Sequence, residues 1–356
     1  MNIVSYVGLD VHRKSISYCI KRPDGTIVRE GDFKADRFVL QSWAKSIPGP
    51  WAAAMEATLV SSWIYRTLKP LADQLLMGNP ARMKAITAGK KKSDKIDART
   101  IADLLRCDLL PAVWVPPPEI EDLRRKLRFR SLVVEERTVF KNRIAGCLLE
   151  TGVPYETRKL HGQRYFRELV NANDMAPETR AILDIARKQV ETLNAADKLL
   201  IAELRQHPVI AERFLALCEI PSVGTILALT WVLEAGDPRR FPNIGKACSY
   251  CGLTSALRSS AGKDKRMPIS KQRNGRLQHI LVEAAKVAPM WNPLLKEVHD
   301  KEAARGDANT ATLAVARKLV AYMMAVDRRT IDAIERRQRE AANAKPAAVP
   351  ARPEVK

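Results

Sequence analysis

The first 110 residues alternate short apolar runs with helix-compatible segments, and this alternation sets the fold class. Five apolar runs have the length of strands: residues 3–10, 16–21, 26–33, 51–55 and 73–77. The turn sequence Arg22-Pro23-Asp24-Gly25 joins the second and third runs as a hairpin. Helices are predicted over about 36–46 and 59–70, and from Ser93 through Leu105. A hairpin followed by β-α units predicts an α/β mixed sheet with helices on its faces.

Proline-containing breaks divide the rest of the chain. Three consecutive prolines, Pro116 to Pro118, cannot continue a helix and end the first region. A long basic helix is predicted over 119–150 and another over 178–206, before the break at His207-Pro208. We therefore predict four parts: an α/β domain over 1–110, a helical linker or oligomerisation region over 111–206, a mainly α domain over 207–335, and a disordered tail over 336–356.

The 178–206 helix carries apolar residues at the heptad spacing of a coiled coil. These residues are Leu183, Ala186, Val190, Leu193, Leu200 and Leu204, with Asp197 at an interior position of the seam. The repeat is equally consistent with packing against the 119–150 helix of the same chain and with packing against a second subunit. The second arrangement predicts a homo-oligomer, a dimer or a tetramer.

Four carboxylates in the first hundred residues indicate a metal site. Asp10 and Glu56 end the first and fourth predicted strands, and Asp94 and Asp97 lie three residues apart at the start of a helix. The spacing places both aspartates on one helix face, which the strand order allows to meet the two strand ends. Converging carboxylates suit Mg²⁺ or Mn²⁺ held against phosphate. Each acid alone is also explained as a turn former or a helix cap, so their joint placement carries the prediction.

The charge balance agrees with a polyanionic partner. The chain has 60 Lys+Arg against 40 Asp+Glu, a net charge of +20, although a solvated basic surface would have the same composition. The candidate DNA-contacting side chains are Lys90, Lys91, Lys92, Lys95, Arg124, Arg125, Arg128, Arg258, Lys263, Lys265, Arg266 and Lys271. No apolar stretch has the length of a membrane span, and the N-terminal residues lack the profile of a signal peptide.

Three motifs resemble those of the insertion-sequence-110 family of transposases, which are known by their DEDD acids. The motifs are Tyr6-Val7-Gly8-Leu9-Asp10-Val11-His12, Met55-Glu56-Ala57-Thr58 and Ser93-Asp94-Lys95-Ile96-Asp97-Ala98-Arg99. The resemblance implies a RuvC-like, RNase H-type N-terminal domain. It also implies that the four acids are ligands of a divalent metal. His12 is expected to be a local or DNA-facing residue and not a ligand.

The order of motifs after residue 207 resembles the C-terminal domain of the same family. Glu219 to Gly224 form the turn of a helix-turn-helix pattern, which either offers backbone N–H groups to phosphate or is a plain helical hairpin. Arg258 to Lys263 form a small-residue, basic loop, and the family carries a nucleophilic serine in such a loop. By family position we assign this role to Ser260 in preference to Ser259. Without the resemblance, a flexible loop that contacts DNA phosphates is the better interpretation.

Cysteine use predicts a reduced protein. Six cysteines in 356 residues are no disulfide framework. Cys248 and Cys251 form one Cys-x-x-Cys pair, but no second pair completes a zinc site and no thioredoxin-like context surrounds it. We expect two buried thiols.

The resemblance implies an RNA-guided serine recombinase in the cytoplasm of a bacterium, associated with the nucleoid. Such an enzyme cuts and exchanges double-stranded donor and target DNA through a covalent phosphoserine, guided by a structured RNA encoded beside the element. Two other hypotheses stay open. One is a metal-dependent junction nuclease that hydrolyses with water, and the other is a non-catalytic nucleic-acid-binding protein. Loss of activity in Ser260→Ala excludes the first, and loss of activity in Asp10→Asn excludes the second.

Overall fold

The structure, a computed structural model, describes residues 3–86, 93–260, 263–269 and 271–344. The chain divides into two compact units between Pro118 and Glu119, next to the run of three prolines. We call them the N-terminal unit and the C-terminal unit. Residues 119–206 and 207–344, which were predicted to be separate parts, belong to the same unit.

A six-stranded mixed sheet forms the centre of the N-terminal unit. Its strands are β1 (Ser5–Val11), β2 (Ser15–Lys21), β3 (Ile27–Lys34), β4 (Trp51–Glu56), β5 (Gln74–Gly78) and β6 (Ala112–Val113). Their order in the sheet is β3-β2-β1-β4-β5-β6. β1 is parallel to β4, and β4 to β5, whereas the other neighbours are antiparallel. The predicted mixed sheet is confirmed and is consistent with an RNase H-type domain at the N-terminus. The RuvC-like assignment stays a prediction.

Helices cover both faces of this sheet. They are α1 (Arg37–Lys45), α2 (Ser61–Leu68), α3 (Pro80–Ile86) and α4 (Asp94–Arg106). Ala53 and Met55 of β4 pack in one hydrophobic cluster with α1 and α2, while Ala52 and Ala54 pack in another with α3 and α4. Successive residues of a strand face opposite sides, so β4 must be apolar throughout. The short α3 and the two-residue β6 were not predicted.

The C-terminal unit is mainly helical. Its helices are α5 (Pro118–Glu150), α6 (Gln163–Ala172), α7 (Pro177–Gln206), α8 (Ala211–Cys218), α9 (Thr225–Thr230), α10 (Ile244–Tyr250), α11 (Gly275–Val287), α12 (Pro293–Ala303) and α13 (Ala308–Ala344). Helix α9 continues directly into a π-helical turn over Trp231–Ala235. 3₁₀ turns span Pro238–Arg240 and Ala288–Met290. A hairpin of β7 (Ser255–Ser260) and β8 (Lys263–Ile269) lies between α10 and α11.

An ion pair lies inside the core of this unit. Arg213 of α8 donates to Asp327 of α13 at 2.7 and 2.8 Å, and Trp231 Nε1 donates to the same carboxylate at 2.9 Å. Asp327 is fully buried. A buried carboxylate is tolerated because its hydrogen bonds and the opposite charge replace water.

Helices α5 and α7 pack within one chain. Asp197, the acid in the predicted heptad seam, accepts hydrogen bonds from Arg130 at 2.6 Å and from Arg137 at 3.0 Å, both on α5. Ile144 and Leu148 of α5 share a hydrophobic cluster with Leu183 and Val190 of α7. The two arginines explain an acid inside an apolar seam, and pairing with a second subunit stays a prediction.

Two predictions about the C-terminal unit were wrong. Residues 336–344, assigned to a disordered tail, form the last turns of α13, because they are rich in Ala, Arg, Gln and Glu, which are strong helix formers. The predicted loop at Arg258 to Lys263 is instead part of the β7–β8 hairpin, apart from residues 261 and 262, which lie outside the described residues. The composition of one segment does not reveal a pairing partner further along the chain.

Candidate metal site and nucleophile hairpin

The four predicted acids line one open cavity of about 520 Å³ in the N-terminal unit. Asp10 comes from β1, Glu56 from the end of β4, and Asp94 and Asp97 from the first turn of α4. The parallel register pairs Leu9 with Met55, so the carboxylates that follow them lie at the same end of adjacent strands. Three segments of the chain therefore deliver carboxylates to one place, whereas their role as metal ligands stays a prediction.

Helix α4 reaches the cavity because it packs very closely against β1. A Cβ added to Gly8 would lie 2.0 Å from Ala98 O and 2.4 Å from Ala102 N, so only glycine fits there. Ser93 caps the helix, its side chain accepting a hydrogen bond from Ile96 N at 3.3 Å. The cap fixes where the helix begins and hence which face carries the two aspartates.

Two ion pairs hold α4 along the sheet. Lys21, whose side chain is 8% exposed, donates to Asp103 at 2.5 Å. Arg99 donates to both carboxylate oxygens of Glu30, at 2.6 and 2.7 Å. Both pairs join α4 to the antiparallel strands β2 and β3, so the aspartates of α4 are anchored on the sheet that carries Asp10.

His12 lies between two of the acids. Its Nε2 is 3.1 Å from Asp10 Oδ2 and 3.6 Å from Asp94 Oδ1. One possible ligand atom from each of these three residues lies within 4.8 Å of the others, which is compatible with a shared metal ion. His12 was predicted to be a local or DNA-facing residue, and its contact with two of the acids was not predicted. The signal that could have found it is the two-residue spacing from Asp10, which places both on one side of an extended chain.

The charges of the site are suited to a divalent cation. Burial raises the pKa of the Asp10 carboxyl; His12 opposes this shift, and the negative charges of Asp94 and Asp97 add to it. Carboxylate oxygens are the preferred ligands of Mg²⁺ and Mn²⁺, and an imidazole nitrogen is compatible with Mn²⁺. The donor set therefore fits a divalent metal. Arg13 also lines the cavity and places positive charge beside the acids, a feature that sequence reasoning missed.

The β7–β8 hairpin carries the candidate nucleophile. In its antiparallel register Ser259 pairs with Asp264, Ser260 with Lys263, and Arg258 with Lys265. Arg266 pairs with Leu257 in the same ladder. The structure thus places both serines at the end of β7, in a hairpin that also carries four of the predicted DNA-contacting residues.

The other predicted DNA-contacting residues have different surroundings. Lys95 and Lys271 are exposed, and Arg125 pairs with its helix neighbours Glu121 and Asp122. Lys90, Lys91 and Lys92 lie outside the described residues.

Arg124 and Arg128 point into the C-terminal unit, where both lie close to the carboxylate of Glu234. Arg124 is 12% exposed and donates to Leu233 O at 2.9 Å, which removes it from the predicted DNA-contacting face.

Cys248 and Cys251 are buried free thiols, as the sequence predicted. Burial raises the pKa of both thiols. A buried, protonated thiol is a poor nucleophile and a poor metal ligand. The pair therefore belongs to the core.

Two family models match this chain. A DEDD transposase model of the IS110 type matches residues 7–153, the range that contains the four acids. The model described as the transposase IS116/IS110/IS902 family matches residues 215–300, the range that contains the β7–β8 hairpin. Together they match more than half of the chain. The chain belongs to the IS110 family of transposases.

Relatives of this IS110-family protein match over most of its length. The putative transposase y4qE of Sinorhizobium fredii is 27% identical over 286 residues, 79% of this chain and 71% of the relative. The transposase for insertion sequence element IS1328 of Yersinia enterocolitica is 24% identical, over 89% of this chain and 94% of its own. The transposase for IS1111A of Coxiella burnetii is 23% identical, over 85% of this chain and 80% of its own.

A DEDD transposase family implies a divalent metal. In the described parts of the chain, no helix is long and apolar enough to span a bilayer.

Proposed function

We propose that this IS110-family protein is a DNA transposase that uses a divalent-metal site and a serine nucleophile. The observation that carries the proposal is the convergence of Asp10, Glu56, Asp94 and Asp97 in one cavity. Family membership supports it, since the models that match are those of transposases. Net charge of +20 supports a nucleic-acid substrate.

The acids and their neighbours have separate tasks in this proposal. The four carboxylates would hold the metal, and His12, which lies beside Asp10 and Asp94, would fix the orientation of these two side chains. When bound, a divalent cation polarises a phosphate oxygen and offsets the charge that develops there. Arg13 at the cavity and the exposed Lys95 attract the DNA backbone.

Ser260 is the proposed nucleophile for strand cleavage. Its Oγ attacks phosphorus, a bond from Oγ to phosphorus forms, and the bond from phosphorus to the leaving DNA oxygen breaks. The serine loses its hydroxyl proton and the leaving oxygen gains one. A phosphodiester is replaced by a phosphodiester, so a hydroxyl of another strand can attack in turn, join the DNA and release the serine.

The proposal includes a structured guide RNA, which follows from the family resemblance, and an oligomer, which follows from the heptad spacing of α7. The basic composition is compatible with RNA as well as DNA. Electrophoretic mobility shift with RNA transcribed from the sequence flanking the gene tests the first. Light scattering of the full chain with and without that RNA tests the second.

A covalent-adduct assay tests the chemistry. The full chain, Mg²⁺ or Mn²⁺, flanking-region RNA and labelled donor and target DNA are incubated and separated on a denaturing gel. We expect a protein-linked DNA band that is lost in Ser260→Ala and in Asp10→Asn and kept in Ser259→Ala. Asp32→Asn, an exposed aspartate on the edge strand β3 that does not line the cavity, is the matched control.

Two results would contradict the proposed mechanism. Metal-dependent cutting without an adduct, unchanged in Ser260→Ala, would identify a hydrolytic nuclease. Equal DNA or RNA binding by the wild type and Asp10→Asn, with no cutting by either, would identify a non-catalytic binding protein.

A further inference from the structure

The two flanks of the β7–β8 hairpin are fastened to each other. On the side that precedes the hairpin, the carbonyl oxygens of Tyr250 and Gly252 accept hydrogen bonds. Asn274 N donates to Tyr250 O at 2.9 Å, and Gln278 Nε2 donates to Gly252 O at 2.6 Å. Both donors follow the hairpin in the chain. These two hydrogen bonds join the start and the end of the hairpin at the point where it leaves the helical core. We call this junction the base of the hairpin.

The carboxylate of Glu234 joins this base to α5. Its side chain is 1% exposed and accepts hydrogen bonds from Nε and Nη2 of Arg128 at 2.8 and 2.9 Å. Asn274 Nδ2 donates to the same carboxylate at 3.0 Å, and Arg124 Nε lies 3.8 Å from it. The main-chain oxygen of Glu234 accepts a hydrogen bond from Tyr250 Oη at 2.9 Å. Glu234 thus contacts a residue on each side of the hairpin.

Glu234 is held in its ionised form. Burial pushes the pKa of its carboxyl upwards, but the hydrogen bonds and charge of Arg128, with the amide of Asn274, outweigh burial and lower the pKa. The contacts between a buried, ionised carboxylate and its partners are costly to break, because removal of one partner leaves a charge without water or a counter-ion. Its bonds therefore resist displacement of the groups that it holds.

The backbone that carries Glu234 is irregular. Trp231–Ala235 form a π-helical turn, and Gly236 follows with φ of 69°. Such turns are rare and are concentrated at functional sites, since the extra residue changes the direction of the side chains that follow. In a regular continuation of α9 the side chain of residue 234 would point in a different direction.

We propose that Glu234 is a positioning residue that holds the main chain of β7, and through it Ser260, in the orientation required for strand cleavage. It acts through Asn274 and Tyr250, the residues at the two ends of the base. The role of Ser260 in this inference rests on the proposed function, whereas the anchoring of the hairpin rests only on the hydrogen bonds described above.

Asn274 provides the cleanest test because its two functions can be separated. Its Oδ1 caps α11 by accepting hydrogen bonds from Arg276 N and Leu277 N, while its Nδ2 reaches Glu234. Asn274→Ser keeps a capping oxygen and removes the amide donor. Asn243→Ser is the matched control, since Asn243 caps α10 in the same way and has no hydrogen bond to Glu234. Glu234→Gln is the second variant.

Hydrogen–deuterium exchange of the full chain without DNA gives the first readout. We expect peptides that cover β7 and β8 to exchange at least fivefold faster in Asn274→Ser and Glu234→Gln, with α13 unchanged and Asn243→Ser like the wild type. Unchanged exchange of the hairpin in both variants would overturn the proposal. Equal acceleration over the whole C-terminal unit would also overturn it, because that result identifies a general structural role.

The covalent-adduct assay gives the second readout. At saturating DNA we expect the rate of adduct formation in Asn274→Ser to fall tenfold or more, with the dissociation constant for DNA within twofold of wild type. A rate like that of Asn243→Ser would overturn the positioning role. If the hairpin loosens but the wild type forms no adduct, the anchoring by Glu234 stands and the nucleophilic role of Ser260 fails.

Discussion

Replacement of Gly8 by alanine should separate α4 from β1 and loosen the acid cluster. The new Cβ would lie 2.0 Å from Ala98 O and 2.4 Å from Ala102 N. Both atoms belong to the backbone of α4, so no side-chain rotation relieves the contact. The helix must retreat by roughly 1 Å or more to restore an ordinary contact distance.

Two magnitudes follow from that displacement. The free energy of unfolding should fall by about 1–3 kcal/mol, the usual cost of an extra methyl group in a packed interior. Asp94 and Asp97 move with α4, so the affinity for Mn²⁺ should fall about 10- to 100-fold, as it does when groups that orient metal ligands are lost. Urea denaturation followed by circular dichroism measures the first quantity, and isothermal titration calorimetry measures the second.

Gly146→Ala is the matched control for this experiment. Gly146 lies in α5, and among the described residues an added Cβ would meet no atom within 4 Å beyond the adjoining backbone of its own helix. Its replacement should leave Mn²⁺ affinity unchanged and stabilise the helix by about 0.5–1 kcal/mol. If Gly8→Ala keeps wild-type stability and Mn²⁺ affinity, the close packing of α4 on β1 is refuted, and with it the explanation of how the aspartates reach Asp10.

Three further predictions concern stability and reactivity. Asp327→Ala should lower the free energy of unfolding, measured in urea, by about 3–5 kcal/mol, because it leaves the buried guanidinium of Arg213 without its counter-charge. Hydrogen bonds from Arg99 lower the pKa of Glu30 below its ordinary 4.5, so the stabilisation that this carboxylate contributes is present above pH 4.5 and is lost as the pH falls through the lower folded-state pKa. Glu30→Gln should therefore make the free energy of unfolding, measured by circular dichroism, depend less on pH in the acid range. Cys107, the exposed cysteine, should be the first of the six to react with a thiol reagent in the native protein, as peptide mass spectrometry will show.

Much of the acid cluster could be predicted from the sequence because its parts are local. A buried apolar run ending in a carboxylate identifies β1 with Asp10, and a similar run identifies β4 with Glu56. The capping residue Ser93 sets the start of α4 and hence the face that carries its two aspartates. Strand order then brought the carboxylates to one cavity, as predicted.

The nucleophile region was predicted less well because its structure depends on distant segments. The segment that contains Ser260 is rich in small and basic residues, which favoured a loop, but it pairs with the strand that follows. Basic residues on α5 were assigned to DNA, yet Arg124 and Arg128 pair with Glu234. A charged residue on a helix gives no indication of whether its partner is solvent, phosphate or a buried acid.

The sequence by itself determined the local elements and the family to which the chain belongs. Periodicity, capping and turn residues act over a few positions, so β1, β4 and α4 with their carboxylates are encoded within short segments. Only the tertiary structure decided which remote groups meet. Arg128 and Glu234 are 106 positions apart, and their contact depends on how the whole C-terminal unit packs. Burial then gives the contact its strength, because a charge removed from water must be balanced by the groups that the fold brings to it.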